Sequence, residues 1–118
     1  MAMQVLRIAA NLESADVTVA QAFYHQILGL EVLMDHGWIR TYGNVSKMQV
    51  QVSVAAEGGS GTAVPALSIE VDDLDEALAR IRLARVPIEY GPVLEPWGVR
   101  RFYVRDPFGR LINILIHS

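Results

Sequence analysis

The chain of 118 residues contains no cysteine. Disulfides, thiolate nucleophiles and thiolate-held metals are thereby excluded, while the redox compartment stays open. Basic runs are missing too: ten Lys and Arg stand against thirteen Asp and Glu, a net charge of −3, so the chain lacks the positive footprint that nucleic-acid binding needs. No apolar run approaches the roughly 20 residues that span a bilayer. The opening "MAMQVLRIAANLESAD" has neither the charged segment nor the long apolar core of a secretory leader. These absences point to a cytoplasmic protein without nucleic-acid or membrane partners. Histidine is scarce, and its three copies do not cluster. His25 falls on the polar side of a helix, His36 in the turn "MDHGW" and His117 in the tail, and each reads as a solvated imidazole.

What is present is a globular composition, 52% hydrophobic and 19% charged, at a length that suits one domain with a real core. The same order of signals occurs twice. "VLRIAANL" is a strand, and Asp16 caps a helix whose Ala20, Phe23, Tyr24 and Ile27 follow helical spacing to a stop at Gly29. The extended pieces "LEVLMD", "GWIRTYG" and "MQVQVSVA" follow. After the Gly-rich "EGGSGTAVP", the strand "ALSIEV" precedes a helix with Asp73 and Glu76 as a capping box and Leu74, Ala77, Leu78 and Ile81 on one face. "VPIEYG", "GVRRFYVRD" and "RLINILIH" complete the second set. The fold class is α+β: two tandem βαβββ modules, 1–56 and 65–118, joined by a linker at 57–64, with the two sheets curving around a shared cavity.

The doubled plan, with "AFYHQILGLEV", "IEVDDLDEALARI" and "WGVRRFYVRDPFGRLINIL", resembles the vicinal oxygen chelate superfamily of glyoxalases, bleomycin resistance proteins and extradiol dioxygenases. Members that use a metal draw His and Glu or Gln ligands from both halves. The resemblance puts Asn113 where the last strand would carry a glutamate and Ala66 where the second half would carry a histidine. No ligand type stands near Arg7 to Ala9 on the first strand. Only Gln49 and Gln51 remain, on one strand face. Two neutral amides hold a divalent ion poorly, so no metal and no other cofactor is expected.

The resemblance implies that Ser68 and Glu70 face inward on "ALSIEVDD" and that Tyr103, three residues before the Asp-Pro of "GVRRFYVRD", faces the ligand; alternation adds Arg101 and sets Asn113 with Leu111 and Leu115 on the last strand. In "GWIRTYG" it puts Trp38, Arg40 and Tyr42 on one face. Each has a plainer reading. Trp38 and Trp97 serve equally as core or interface aromatics. Arg40, Arg101 and Arg105 serve as solvated edge charges, and Glu70 as the partner of an arginine across the sheet.

The resemblance and this lining together favour a metal-free module that sequesters a small organic molecule, in the manner of the bleomycin resistance branch. One alternative is an enzyme in which Glu70 is a general base and Arg101 or Tyr103 stabilises an oxyanion. Another is a metal-dependent lyase or dioxygenase with displaced ligands, His36 or Glu70 joining Gln49 or Gln51. A homodimer is expected, with or without exchange of halves.

Overall fold

The computed structural model describes residues 2–44 and 51–118. The elements run β1 (Val5–Glu13), a 3₁₀ turn (Val17–Ala20), a π-helical segment (Ala22–Ile27), β2 (Glu31–Asp35), β3 (Ile39–Gly43) and β4 (Gln51–Ala55). Then come β5 (Leu67–Val71), α1 (Leu74–Leu83), β6 (Ile88–Leu94), β7 (Val99–Arg105) and β8 (Leu111–His117). The doubled βαβββ plan and the α+β class are thus both present. The chain forms two compact units, one of Ala9–Val64 and one that joins the residues up to Ile8 with Pro65–Ser118.

In the unit Ala9–Val64 the strands lie in the order β2, β3, β4, β1, antiparallel except for the parallel pairing of β4 with the second half of β1. Its core gathers Val17, Tyr42 and Val54, with Ala20, Tyr24, Leu30 and Val52 against them. Asp16 caps as expected: its carboxylate accepts from the Thr18 amide at 3.0 Å and the Thr18 hydroxyl at 2.6 Å. Those two bonds hold its carboxyl below the usual carboxylate range.

The expected amphipathic helix is altered. Val17, Thr18 and Val19 are β-branched and favour no long helix, and the chain widens into i→i−5 bonding, Leu28 N donating to Phe23 O at 3.1 Å. That wider turn breaks the 3.6-residue spacing. Ala20 and Tyr24 pack inward, while Phe23 and Ile27 are 52% and 70% exposed.

In the other unit the order is β5, β8, β7, β6, with β5 and β8 parallel and the rest antiparallel. The start of the chain is tied to it at Gln4, whose amide donates to the Asp72 carboxylate at 2.8 Å and whose carbonyl accepts from the Asp72 amide at 3.1 Å. Those bonds explain why residues up to Ile8 group here, where a division at 56 and 65 groups them with the first module. The helix α1 is capped by Asp73, which accepts from the Glu76 amide at 3.0 Å. The Glu76 carboxylate turns to Arg80 at 3.0 Å, one helical turn on.

Apolar burial drives the layer beneath α1. Val71, Leu74, Leu78, Phe102, Val104 and Ile112 make its centre. Strand alternation therefore turns Ser68, Glu70, Arg101, Tyr103, Asn113 and His117 to the opposite face. Gly91 lets β6 and β7 meet closely: its φ is +79°, and a Cβ there would sit 2.5 Å from the Arg101 carbonyl oxygen.

Candidate functional site

On the sheet face opposite α1, strand register sets polar residues side by side. Ser68 pairs with Asn113, Asn113 with Tyr103, and Tyr103 with Tyr90, so four adjacent strands contribute one row. The next row carries Glu70, Leu115 and Arg101, and beyond it His117 stands opposite Val99. Tyr90 and Tyr103 touch with ring centroids 5.1 Å apart.

Asn113 is 6% exposed. Its Nδ2 donates to Ser68 Oγ at 3.1 Å. Its Oδ1 is buried and accepts no hydrogen bond among the described residues. Exchanging the amide's two ends only changes which of them is left over. Leaving such a group unmet costs about 1–3 kcal/mol.

Arg101 departs from the reading of a solvated edge charge, because it is 2% exposed. Its Nη2 and Nε reach Glu95 Oε2 at 2.6 and 2.7 Å. The Tyr90 hydroxyl donates to the same oxygen at 2.9 Å. The guanidinium carbon lies 4.9, 5.1 and 5.5 Å from the ring centres of Tyr103, Trp97 and Tyr90. A buried cation is tolerable only with such pairing and ring contacts. Glu95, Tyr90 and Trp97 were not among the sequence-derived site residues. The signal for them lay in "VLEPWGVRR": a Pro-Trp-Gly turn folds Glu95 back onto the strand that carries Arg101.

Glu70, 18% exposed at its side chain, has both oxygens engaged. Oε1 accepts from Arg7 Nε at 3.0 Å, and Oε2 lies 3.0 Å from His117 Nδ1. The pairing with an arginine of another strand was one of the two readings of Glu70. His117, expected in a tail, instead ends β8.

In the unit Ala9–Val64, Gln51 pairs with Gly43, and Ser53 with both Thr41 and Asn11. The Thr41 and Ser53 hydroxyls meet at 2.7 Å and are buried. The run "QVQVSV" made Ser53 readable as a face-mate of Gln51; Asn11 and Thr41 carried no such cue. Gln49 lies outside the described residues.

Arg40 and Tyr42 do share a face, but it is the face packed against the helical layer, because they pair with the core valines Val54 and Val52. Tyr42 is fully buried beside Tyr24, with centroids 5.6 Å apart. Arg40 bonds Gln21 at 3.3 Å and Asp35 at 2.9 Å. The Tyr42 hydroxyl, close to the guanidinium but outside hydrogen-bonding geometry, and then Asp35 raise the Arg40 pKa. Trp38 precedes β3 and stacks on His36 at 6.2 Å.

The donors at the customary metal positions fit an ion poorly: Ala66 has none, Asn113 and Gln51 are neutral amides, and among the described residues no three of His, Cys, Asp or Glu converge. A cavity of about 280 Å³ lies between α1 and the sheet of its own unit, on the face opposite the polar row, lined by Met3, Val5, Ile69, Val71, Ile81 and Ile114 among others. It is apolar apart from Arg80 and separate from the polar row.

A family model described as Glyoxalase/Bleomycin resistance protein/Dioxygenase superfamily matches residues 9–114. No curated protein matches the chain in sequence. Solved structures that resemble it include an NAD-dependent benzaldehyde dehydrogenase from Legionella pneumophila, at 16% identity and TM-score 0.76, covering 95% of this chain and 100% of that one. Methylmalonyl-CoA epimerase from Mycobacterium tuberculosis matches at 22% identity and TM-score 0.64, over 93% of this chain and 86% of that one. A variant of the Streptomyces coelicolor methylmalonyl-CoA epimerase, in complex with 2-nitronate-propionyl-CoA, matches at 18% identity and TM-score 0.68, over 98% and 99%. At such identities the likeness is one of fold.

Proposed function

The chain belongs to the glyoxalase/bleomycin resistance protein/dioxygenase superfamily, and on that footing we propose that it binds a small organic molecule without the superfamily's metal ion. The ligand lies on the row formed by Ser68, Asn113, Tyr103 and Tyr90. The observation that carries this reading is the buried Asn113 Oδ1 with no donor among the described residues. A ligand N–H or O–H supplies that donor, and the paired tyrosine rings supply a flat wall. The poor donor set at the metal positions supports the metal-free part of the reading. Glu70 is a weaker candidate for general base, because both of its oxygens are already engaged.

The protein acts in the cytoplasm as a homodimer. The exposed Val19, Phe23, Ile27 and Leu28, on the 3₁₀ turn, the π-helical segment and its end, support self-association, since water disfavours exposed apolar side chains.

The test is ligand-observed NMR on chelator-treated protein against a set of planar amides, phenols and anilines. Hits that vanish in Asn113→Leu and persist in Arg105→Gln support the proposal. A set with no hits, or hits indifferent to Asn113→Leu, overturns it. Calorimetric titration with Mn, Zn, Ni and Fe(II) gives no uptake at micromolar concentrations; stoichiometric uptake overturns the metal-free part. Light scattering reads the dimer.

A further inference from the structure

Arg7, Glu70 and His117 come from three strands of one unit and meet in a line: Arg7 Nε to Glu70 Oε1 at 3.0 Å, and Glu70 Oε2 to His117 Nδ1 at 3.0 Å. The carboxylate only accepts, so His117 Nδ1 donates to it, and in the neutral form of the ring Nε2 then carries the lone pair. Arg7 fixes the carboxylate, the carboxylate fixes the ring, and the ring, 49% exposed at its side chain, presents Nε2 to the surroundings. A base oriented by a carboxylate that is itself held in place is the arrangement general-base catalysis requires. Neither His25 nor His36 has it: His25 Nδ1 meets a backbone carbonyl at 2.7 Å, and His36 stacks on Trp38.

We propose that His117 is the general base of a second site, at the end of β8, and that it activates water or a hydroxyl toward an acyl carbon. Glu70 and Arg7 are its positioning residues. In the step, Nε2 takes a proton from water as the water oxygen bonds to the acyl carbon. The bond from that carbon to the leaving oxygen breaks, its electron pair departs with the leaving group, and the proton passes from the imidazolium to solvent. The products are a carboxylic acid and the released alkoxide or phenoxide. This goes beyond the binding reading and does not depend on it, because β8 puts His117 about 13 Å along the strand from Asn113.

The test uses 4-nitrophenyl acetate as the probe, with the full chain and initial rates followed by phenolate release. Relative to wild type, His117→Gln lowers kcat/KM by about 10²-fold or more, while His25→Gln leaves it unchanged. Glu70→Gln lowers kcat at least about tenfold with KM unmoved, and Glu70→Asp restores part of the loss, which a merely structural role would not do. Circular dichroism checks that each variant is folded. Equal rates in wild type and His117→Gln overturn the proposal, as does an equal fall in His25→Gln. A fall in His117→Gln with Glu70→Gln at wild-type kcat overturns the positioning role.

Discussion

Replacing Asn113 by leucine should make the ligand-free protein more stable. The two side chains are close in size, so the change leaves no large void. Relief of the unmet Oδ1 returns about 1–3 kcal/mol. The bond to Ser68 Oγ, lost in the exchange, is worth about 1 kcal/mol, and Ser68 is half-buried, so water can replace its partner. Extra apolar area at a position only 6% exposed adds a favourable amount of similar size. The net expectation is a gain of about 1–2 kcal/mol, or roughly 4–8 °C in Tm for a chain of this length. Equilibrium urea unfolding reads it as a higher midpoint at constant slope, with scanning calorimetry as a second measure. A loss of stability of 1 kcal/mol or more refutes the reasoning, because it means that the amide is already satisfied in the free protein. The same variant loses ligand binding, so stability and function move in opposite directions at one residue.

Glu95→Ala strands a buried guanidinium and costs about 3–5 kcal/mol in urea unfolding; changing Glu95 and Arg101 together to methionine recovers most of it, and a strictly additive double variant counts against a coupled pair. Gly91→Ala forces a Cβ against the Arg101 carbonyl at positive φ and lowers stability by at least about 2 kcal/mol, measured by calorimetry; an unchanged Tm contradicts the close approach. Asp16 and Asp35 have lowered pKa values, through the Thr18 bonds in one and the Gly37 amide and then Arg40 in the other. Their contribution is complete above about pH 4 and is lost as pH falls through the depressed values. A chain with both changed to Asn therefore shows a shallower fall in Tm between pH 5 and 2, and parallel curves would contradict that assignment.

The strand faces of the unit with α1 were legible because one side is a run of Ile, Leu and Val that needs a helix to cover it. Once Leu67, Ile69 and Val71 are assigned to the helix side, Ser68 and Glu70 have only the opposite face left. The same parity set Arg40 and Tyr42 on one face but did not say which side of the sheet that face takes. In "GWIRTYG" one face holds Trp38, Arg40 and Tyr42 and the other Ile39 and Thr41, and nothing in it says which of the two packs against the helical layer. Burial decided: Tyr42 fills the space under Val17, a volume Thr41 cannot fill. The Glu95 pairing was hidden because it depends on where a hairpin turns. The His117 pairing was hidden because it is diagonal, between strands 47 residues apart in sequence.

The bonds between Gln4 and Asp72, and between Arg7 and Glu70, tie the opening residues to a segment more than sixty positions later. During synthesis, at about 5–20 residues per second, those opening residues therefore wait several seconds for their partners to leave the ribosome. Residues 65–118 expressed alone begin at β5 without the segment that supplies Gln4 and Arg7. A synthetic peptide of residues 2–13, added to that fragment, supplies the missing partners as a separate molecule.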